Sequence, residues 1–134
     1  MMQWTKRGVI WRPNGAEDWA RTHGMGPTPL RINDDVIRLY VTCLDGQGRG
    51  RPTFIDVDAR DPSVVLRESG RPLLDVGQAG AFDDNGLMAT CVIEAGNGEI
   101  YMYYAGFEIL QSIRYRILTG LAISRDGGET FARH

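Results

Sequence analysis

The sequence predicts an all-β protein, and three observations lead to that prediction. Its 134 residues include 17 glycines and 6 prolines, well above the usual glycine share of about 7%, which indicates many tight turns. Helical periodicity is nearly absent, since only residues 16–20, with Asn14 as N-cap, could form about one helical turn. The rest consists of short β-branched and aromatic runs bounded by Gly, Pro, Asn and Asp, which is typical of strands.

The runs define nine expected strands, and the seventh is apolar at almost every position. They cover residues 3–11, 28–32, 36–42, 52–58, 64–67, 87–93, 100–107, 118–124 and 131–133. A strand that is apolar on both faces, as residues 100–106 are, is expected to lie between neighbouring sheets. The segment Gly96-Asn97-Gly98 just before it predicts a tight hairpin.

A repeat organises these strands into two similar units. Gly26-Pro27-Thr28 opens the first unit and Gly86-Leu87-Met88 opens the second, about 60 residues later. Two sheets of a sandwich would give the same strand count. The repeat and the apolar seventh strand favour blades of a β-propeller instead. We therefore predict one partial propeller domain over residues 1–134, with blades at about 26–76 and 86–134 and an N-terminal strand at 3–11.

Charge and composition exclude several classes of partner. The net charge is −2 and the pI is near 5.6, so no general field attracts nucleic acid or an acidic membrane. No stretch approaches membrane-spanning length, and the residues after Met1 lack the apolar core of a signal peptide. Cys43 and Cys91 are too few for a metal site or a disulfide framework. We expect two reduced cysteines in a cytoplasmic protein without metal or cofactor.

The C-terminal motif Ser124-Arg125-Asp126-Gly127-Gly128-Glu129-Thr130-Phe131 resembles the Asp-box of sialidase-type propeller blades. In such a motif the Ser and Asp oxygens bind turn amides, glycine adopts positive φ, and the aromatic ring packs between blades. The resemblance implies a structural role for these residues and no catalytic one.

A second resemblance covers most of the chain. Residues 80–87 (Gly-Ala-Phe-Asp-Asp-Asn-Gly-Leu), 100–106 and 120–127 are similar to blades of five-bladed glycoside hydrolases, namely the arabinanase/xylosidase and β-fructofuranosidase groups. The resemblance implies a carbohydrate ligand, and it places Asp83 where the family often carries an Asp that tunes the catalytic acid. Residues 23–27 hold no carboxylate where the family's general base belongs, and the blades that carry the general acid are absent. We therefore expect an incomplete catalytic set, and whether the chain is an enzyme stays open.

Propeller topology would bring several polar side chains to one end of the axis. The catalytic candidates are Asp83 and Glu108, and the expected substrate-binding residues are His23, Arg49, Arg51, Arg114 and Arg116. Adjacent residues of an extended segment point opposite ways, so Asp83 is preferred over Asp84. Arginine suits carboxylate and phosphate groups, which favours an acidic or phosphorylated sugar. The alternative is that these residues bind no ligand. In that case the Asp-Asp-Asn-Gly segment forms a turn whose side chains bind its own amides, His23 is an ordinary loop residue, and the arginines lie in solvated loops.

The functional expectation is carbohydrate recognition or processing, with two alternatives left open. One is a non-enzymatic assembly or binding module in which blades from several chains complete a ring. The other is a truncated N-terminal part of a longer glycosidase. Two blades leave broad apolar faces uncovered, so we expect a homo-oligomer or missing C-terminal blades. Trp4, Trp11 and Trp19 are interpreted as buried between blades, with sugar stacking as the alternative.

Overall fold

The computed structural model describes residues 1–134, which form two four-stranded antiparallel sheets and no helix. Sheet 1 contains β1 (Thr22–Arg31), β2 (Val36–Leu44), β3 (Gly50–Asp58) and β4 (Val65–Glu68). Sheet 2 contains β5 (Leu87–Glu94), β6 (Ile100–Glu108), β7 (Arg116–Ser124) and β8 (Ala132–Arg133). Each sheet follows the order of the chain. The all-β prediction is confirmed, and these residues do not form a closed ring. The structure contains no helix long and apolar enough to cross a membrane.

The predicted hairpin between β5 and β6 is confirmed. The two strands pair as far as Glu94 opposite Ile100, and the Ala95 amide donates to the Glu99 carbonyl at 2.9 Å. Gly96 and Gly98 have φ of 79° and 83°, a conformation that residues with a Cβ rarely adopt. Glycine at these two positions therefore allows the tight turn, and the turn sets the register in which β5 and β6 pair.

One face of each sheet forms the shared core. Tyr40 of β2 packs edge-on against Phe54 of β3 and against Phe131, with ring centroids 6.3 and 5.9 Å apart. The core comprises Tyr40, Phe54, Leu73, Leu74, Leu87, Ala89, Val92, Ile100, Met102, Tyr104, Ala122 and Phe131. Both sheets and their connecting segment therefore contribute to one continuous core.

The second faces of the two sheets differ. All residues of β3 from Gly50 to Val57 are buried, because residues 11–21 also pack on sheet 1. In β6, by contrast, Met102 and Tyr104 are buried, whereas Tyr103 between them is 36% exposed. The expectation that both faces of β6 are covered is therefore wrong for these residues. The outer face of sheet 2, which carries Tyr103, is therefore partly exposed.

The N-terminal region also departs from expectation. No strand precedes Thr22, so the predicted strand at residues 3–11 is not formed. Residues 16–20 form a turn rather than a helix, with the Ala16 amide donating to Asn14 Oδ1 at 2.8 Å. The first strand begins at Thr22 and sheet 1 ends at Glu68, compared with the predicted blade at about 26–76.

The turn at residues 124–131 forms the hydrogen bonds expected from its sequence. Ser124 Oγ donates to Asp126 Oδ1 at 2.7 Å and accepts the Gly128 amide at 2.9 Å. Asp126 Oδ1 also accepts the Thr130 amide at 3.0 Å. Burial disfavours the charged form, but the bonds from Thr130 and Ser124 outweigh it and lower the pKa of Asp126 to about 2. The turn thereby places Phe131 in the core.

A buried arginine joins this turn to sheet 1. Arg38 is 3% exposed, and its Nε and Nη2 donate to the Asp56 carboxylate at 2.7 and 2.9 Å. The same guanidinium donates to Glu129 Oε1 at 2.8 Å and to the Gly127 carbonyl at 3.1 Å. It lies 3.6 Å from the centroid of the Phe54 ring. The positive charge of Arg38 is thus paired with Asp56 of its own sheet and with Glu129 and the Gly127 carbonyl in the turn of sheet 2.

Two adjacent glycines of the turn allow a matched test of this packing. Gly127 and Gly128 have φ of 74° and 83°, so alanine is strained at both positions, by about 1 kcal/mol. A Cβ at Gly128 would collide with the Tyr40 hydroxyl, whereas one at Gly127 meets nothing within 4 Å. We expect Gly128→Ala to lower the unfolding free energy by about 2 kcal/mol more than Gly127→Ala. Urea denaturation of both variants measures the difference, and equal losses would contradict the packing described.

Candidate functional site

A groove of about 200 Å³ opens between the two sheets, at the end where β2 and β6 finish and β5 begins. Its lining residues come from both sheets and from the β6–β7 connection. They are Met25, Leu44, Gly48, Gly50, Asn85, Leu87, Met88, Phe107 and Tyr115. A concave surface of this kind, mostly apolar with a few polar groups, is the usual setting of a small-molecule site.

Two glycines allow the sheets to approach at the base of this groove. A Cβ at Gly86 would lie 2.5 Å from the Gly50 amide nitrogen, and one at Gly50 would lie 2.6 Å from the Leu87 carbonyl oxygen. Gly86 also has φ of 115°. Any side chain at either position would therefore separate the β2–β3 turn from the start of β5 and change the shape of the groove.

Aromatic side chains form one wall of the groove, and charged side chains flank it in the chain. Phe107 and Tyr115 pack edge to face with centroids 5.9 Å apart, and the Arg114 guanidinium lies 5.1 Å from the Tyr115 centroid. Beside them, Arg116 Nε donates to Glu108 Oε2 at 2.8 Å. The wall itself offers ring surfaces; Glu108, Arg114 and Arg116 are next to it in the chain but do not line the groove, and Arg114 has no carboxylate partner.

The predicted substrate arginines Arg49 and Arg51 are engaged within the fold. Both donate to Asp45 Oδ2, at 2.9 and 2.8 Å, and Arg51 also donates to Asp75 Oδ1 at 2.6 Å. Burial opposes ionisation of Asp45, but its bonds from the Arg49 amide and from both guanidinium groups hold its pKa well below the usual range. These two arginines brace the β2–β3 turn, and their charges are already compensated.

Asp83 is buried away from the groove. Its Oδ2 accepts the Tyr104 hydroxyl at 3.1 Å and Arg133 Nε at 2.9 Å, and its side chain is 1% exposed. Arg133 also donates to the Asp75 carbonyl, which connects this pair to Arg51. Asp83 thus contacts none of the arginines predicted to surround it. Its neighbour Asp84 accepts the Gly80 amide at 2.8 Å, as expected of a turn.

His23 lies inside β1 rather than in a loop before it. It has φ of 63° at an irregularity between Thr22 and Met25, and its exposed ring contacts Thr22 Oγ1 at 2.9 Å. Of the seven predicted site residues, Glu108, Arg114 and Arg116 adjoin the groove. Arg49 and Arg51 support its base, and Asp83 and His23 do not line it.

Sequence reasoning missed Tyr115, Asn85 and Arg133. Tyr115 lies between Arg114 and Arg116, which were predicted to bind substrate. Asn85 follows Asp83 and Asp84, and only these two aspartates of the segment were considered as ligand-binding residues. Arg133 is separated from Asp83 by 50 residues, and no local signal connects them.

The sequence has relatives of undefined function. No protein-family model matches the chain. It is similar to two Mycobacterium tuberculosis proteins, uncharacterized protein MT1551 of strain CDC 1551 / Oshkosh and uncharacterized protein Rv1502 of strain H37Rv. Each is 33% identical over 126 residues, which are 94% of this chain and 42% of the relative. The chain therefore spans less than half the length of these relatives.

Removal of Arg133 should reveal how much the buried carboxylate of Asp83 depends on it. Arg133→Ala leaves Asp83 with Tyr104 as its side-chain partner, and we expect a loss of about 2–3 kcal/mol in the free energy of unfolding. Arg125→Ala is the control, because that arginine pairs with Glu99 at the surface and is 70% exposed, and its removal should cost about 1 kcal/mol or less. Chemical denaturation compares the two, and a loss no larger than the control's would mean that Asp83 does not need the pair.

Proposed function

We propose that this chain is a carbohydrate-recognising unit of a glycoside-hydrolase-like propeller, in which the two sheets act as neighbouring blades. The observation that carries the proposal is the groove at the junction of the sheets, with the edge-to-face pair of Phe107 and Tyr115 in its wall. Aromatic rings bind the apolar faces of sugars, while the Asn85 side chain in the lining can bind hydroxyl groups. Ring closure would come from further sheets, whether from a longer chain or from other subunits.

The contacts favour recognition over hydrolysis by this chain alone. Asp83 is held by Tyr104 and Arg133, where it can reach no ligand in the groove. Glu108 accepts a hydrogen bond from Arg116, and none of the residues that line the groove carries a carboxylate. Glycosidases need two carboxyl groups flanking the scissile bond. In this proposal the reacting pair is completed by residues beyond those of this chain.

Three of the four arginines that favoured an acidic sugar are already paired within the fold, so one free guanidinium rather than four could attract an acidic group, and we propose a neutral sugar. Arg49, Arg51 and Arg116 each pair with a carboxylate of the fold, which leaves Arg114 beside Tyr115.

Because Cys43 and Cys91 are free thiols, we propose a cytoplasmic location for this activity.

The sugar proposal is tested by isothermal titration of neutral and uronic-acid oligosaccharides. We expect a neutral sugar to bind, and Tyr115→Ala to weaken it about 10-fold, the cost of one lost stacking contact. Tyr103→Ala is the control, since Tyr103 is 36% exposed on the outer face of sheet 2 and does not line the groove. Failure of every sugar to bind, or equal binding by Tyr115→Ala, would overturn the assignment. Preference for uronic acids would restore the acidic-sugar expectation.

A second candidate function, assembly, is favoured by the outer face of sheet 2. Ile93, Tyr103 and Ile117 of neighbouring strands are 42%, 36% and 57% exposed on this face. Contiguous apolar surface of this kind commonly marks a contact between proteins.

Light scattering tests the assembly candidate. We expect the chain to form a dimer or larger species at micromolar concentration, and Ile117→Glu to shift it toward monomer by placing a charge in the contact. Leu66→Glu provides the control, because Leu66 is 51% exposed on the edge strand of sheet 1. A wild-type monomer of 14.9 kDa would exclude assembly through this face.

A further inference from the structure

A second pocket lies where the N-terminal segment crosses sheet 1, on the side turned away from sheet 2. Its volume is about 180 Å³, several times the roughly 30 Å³ that one water occupies in the liquid. Trp11 and Trp19 contribute to its lining together with Asn14, Glu17, Glu68 and Gly70. Both tryptophans are half-buried. The pocket shares no lining residue with the groove between the sheets.

The N-terminal wall of this pocket is held by its own contacts. Arg21 donates to the Gly15 carbonyl at 2.8 Å and pairs with Asp18, and its amide donates to the Leu44 carbonyl of β2 at 2.9 Å. Trp11 packs against Gly24, where an added Cβ would lie 3.0 Å from the indole ring. The segment that carries both tryptophans is therefore fixed against sheet 1 before any ligand binds, which lowers the entropic cost of binding.

The carboxylates of the pocket are not all compensated. Asp18, just outside the lining, is paired with Arg21. Neither Glu17 nor Glu68 forms an ion pair or a side-chain hydrogen bond within residues 1–134. Two uncompensated negative charges beside two indole rings would repel an anion. A neutral ligand would gain nothing from those charges, whereas a cation with an apolar body would interact with both features.

We propose that this pocket binds a small organic cation, a substituted ammonium group, between Trp11 and Trp19, with Glu17 and Glu68 supplying the opposite charge. Indole is the side chain that attracts such cations most strongly, through the negative face of its π system. The site is independent of the proposed sugar groove, and neither proposal requires the other.

The test is a titration of the chain with tetramethylammonium and choline, followed by tryptophan fluorescence and by calorimetry. The neutral isostere of choline, 3,3-dimethyl-1-butanol, has nearly the same shape without the charge. We expect the cations to bind, and the isostere to bind at least about 10-fold more weakly because it lacks the cation–π and ionic attraction. Equal affinity for choline and its isostere, or no binding of either cation at concentrations up to about 100 mM, would overturn the proposal.

Variants distinguish cation binding in this pocket from a fluorescence change at the tryptophan outside it. Glu17→Gln/Glu68→Gln keeps the shape of both exposed side chains, so we expect an unchanged melting temperature and about 10-fold weaker cation binding. Trp19→Leu should lose binding and the fluorescence response. Trp4→Phe is the control, because Trp4 is 86% exposed and does not line the pocket, and it should bind as the wild type does. Full binding by the Gln double variant, or a response lost only in Trp4→Phe, would place the cation elsewhere.

Discussion

The buried guanidinium of Arg38 is the constraint on which the arrangement of the two sheets depends. A charge removed from water must be paired, and the cost of leaving it unpaired is several kcal/mol. Asp56 supplies part of the pairing from within sheet 1, and Glu129 and the Gly127 carbonyl supply the rest from sheet 2. In the observed position of the sheets all these bonds to Arg38 form together, and Phe131 meets Tyr40. That position also determines how their opposite ends meet and form the groove.

Charge pairing continues to the groove through a second network. Asp45, Arg51 and Asp75 are connected by contacts of 2.8 and 2.6 Å, and Arg133 links the Asp75 carbonyl to the carboxylate of Asp83. These groups are concentrated around the β2–β3 turn and the segment before β5. They make the base of the groove rigid and leave recognition to the residues of its rim. A site whose nearby charges are mostly compensated and whose rings are exposed selects ligands by shape and stacking more than by net charge.

The parts of the fold that depend on neighbouring residues could be predicted from the sequence. Glycine at 96 and 98 dictates a hairpin, and Ser124 and Asp126 dictate their turn, because each bond joins residues at most a few positions apart. The candidate site could not be predicted in the same way. Whether Arg51 is free depends on Asp75, 24 residues away, and the partner of Asp83 lies 50 residues away. The sequence predicted that the polar residues share one end of the sheets, but which of them pair with each other is decided by tertiary contacts that no local pattern encodes.

The long separation between Arg38 and its partners also bears on the order of folding. The bond to Glu129 joins residues 91 positions apart, whereas every strand pairing within a sheet joins consecutive strands. Local hairpins close quickly, and contacts between distant residues form late because they carry the larger loop-closure cost. During synthesis sheet 1 would be complete while the Tyr40 face still lacks its cover and Arg38 lacks half of its hydrogen bonds. The nascent chain is therefore expected to be most exposed to aggregation and chaperone binding until residues 127–131 have left the ribosome.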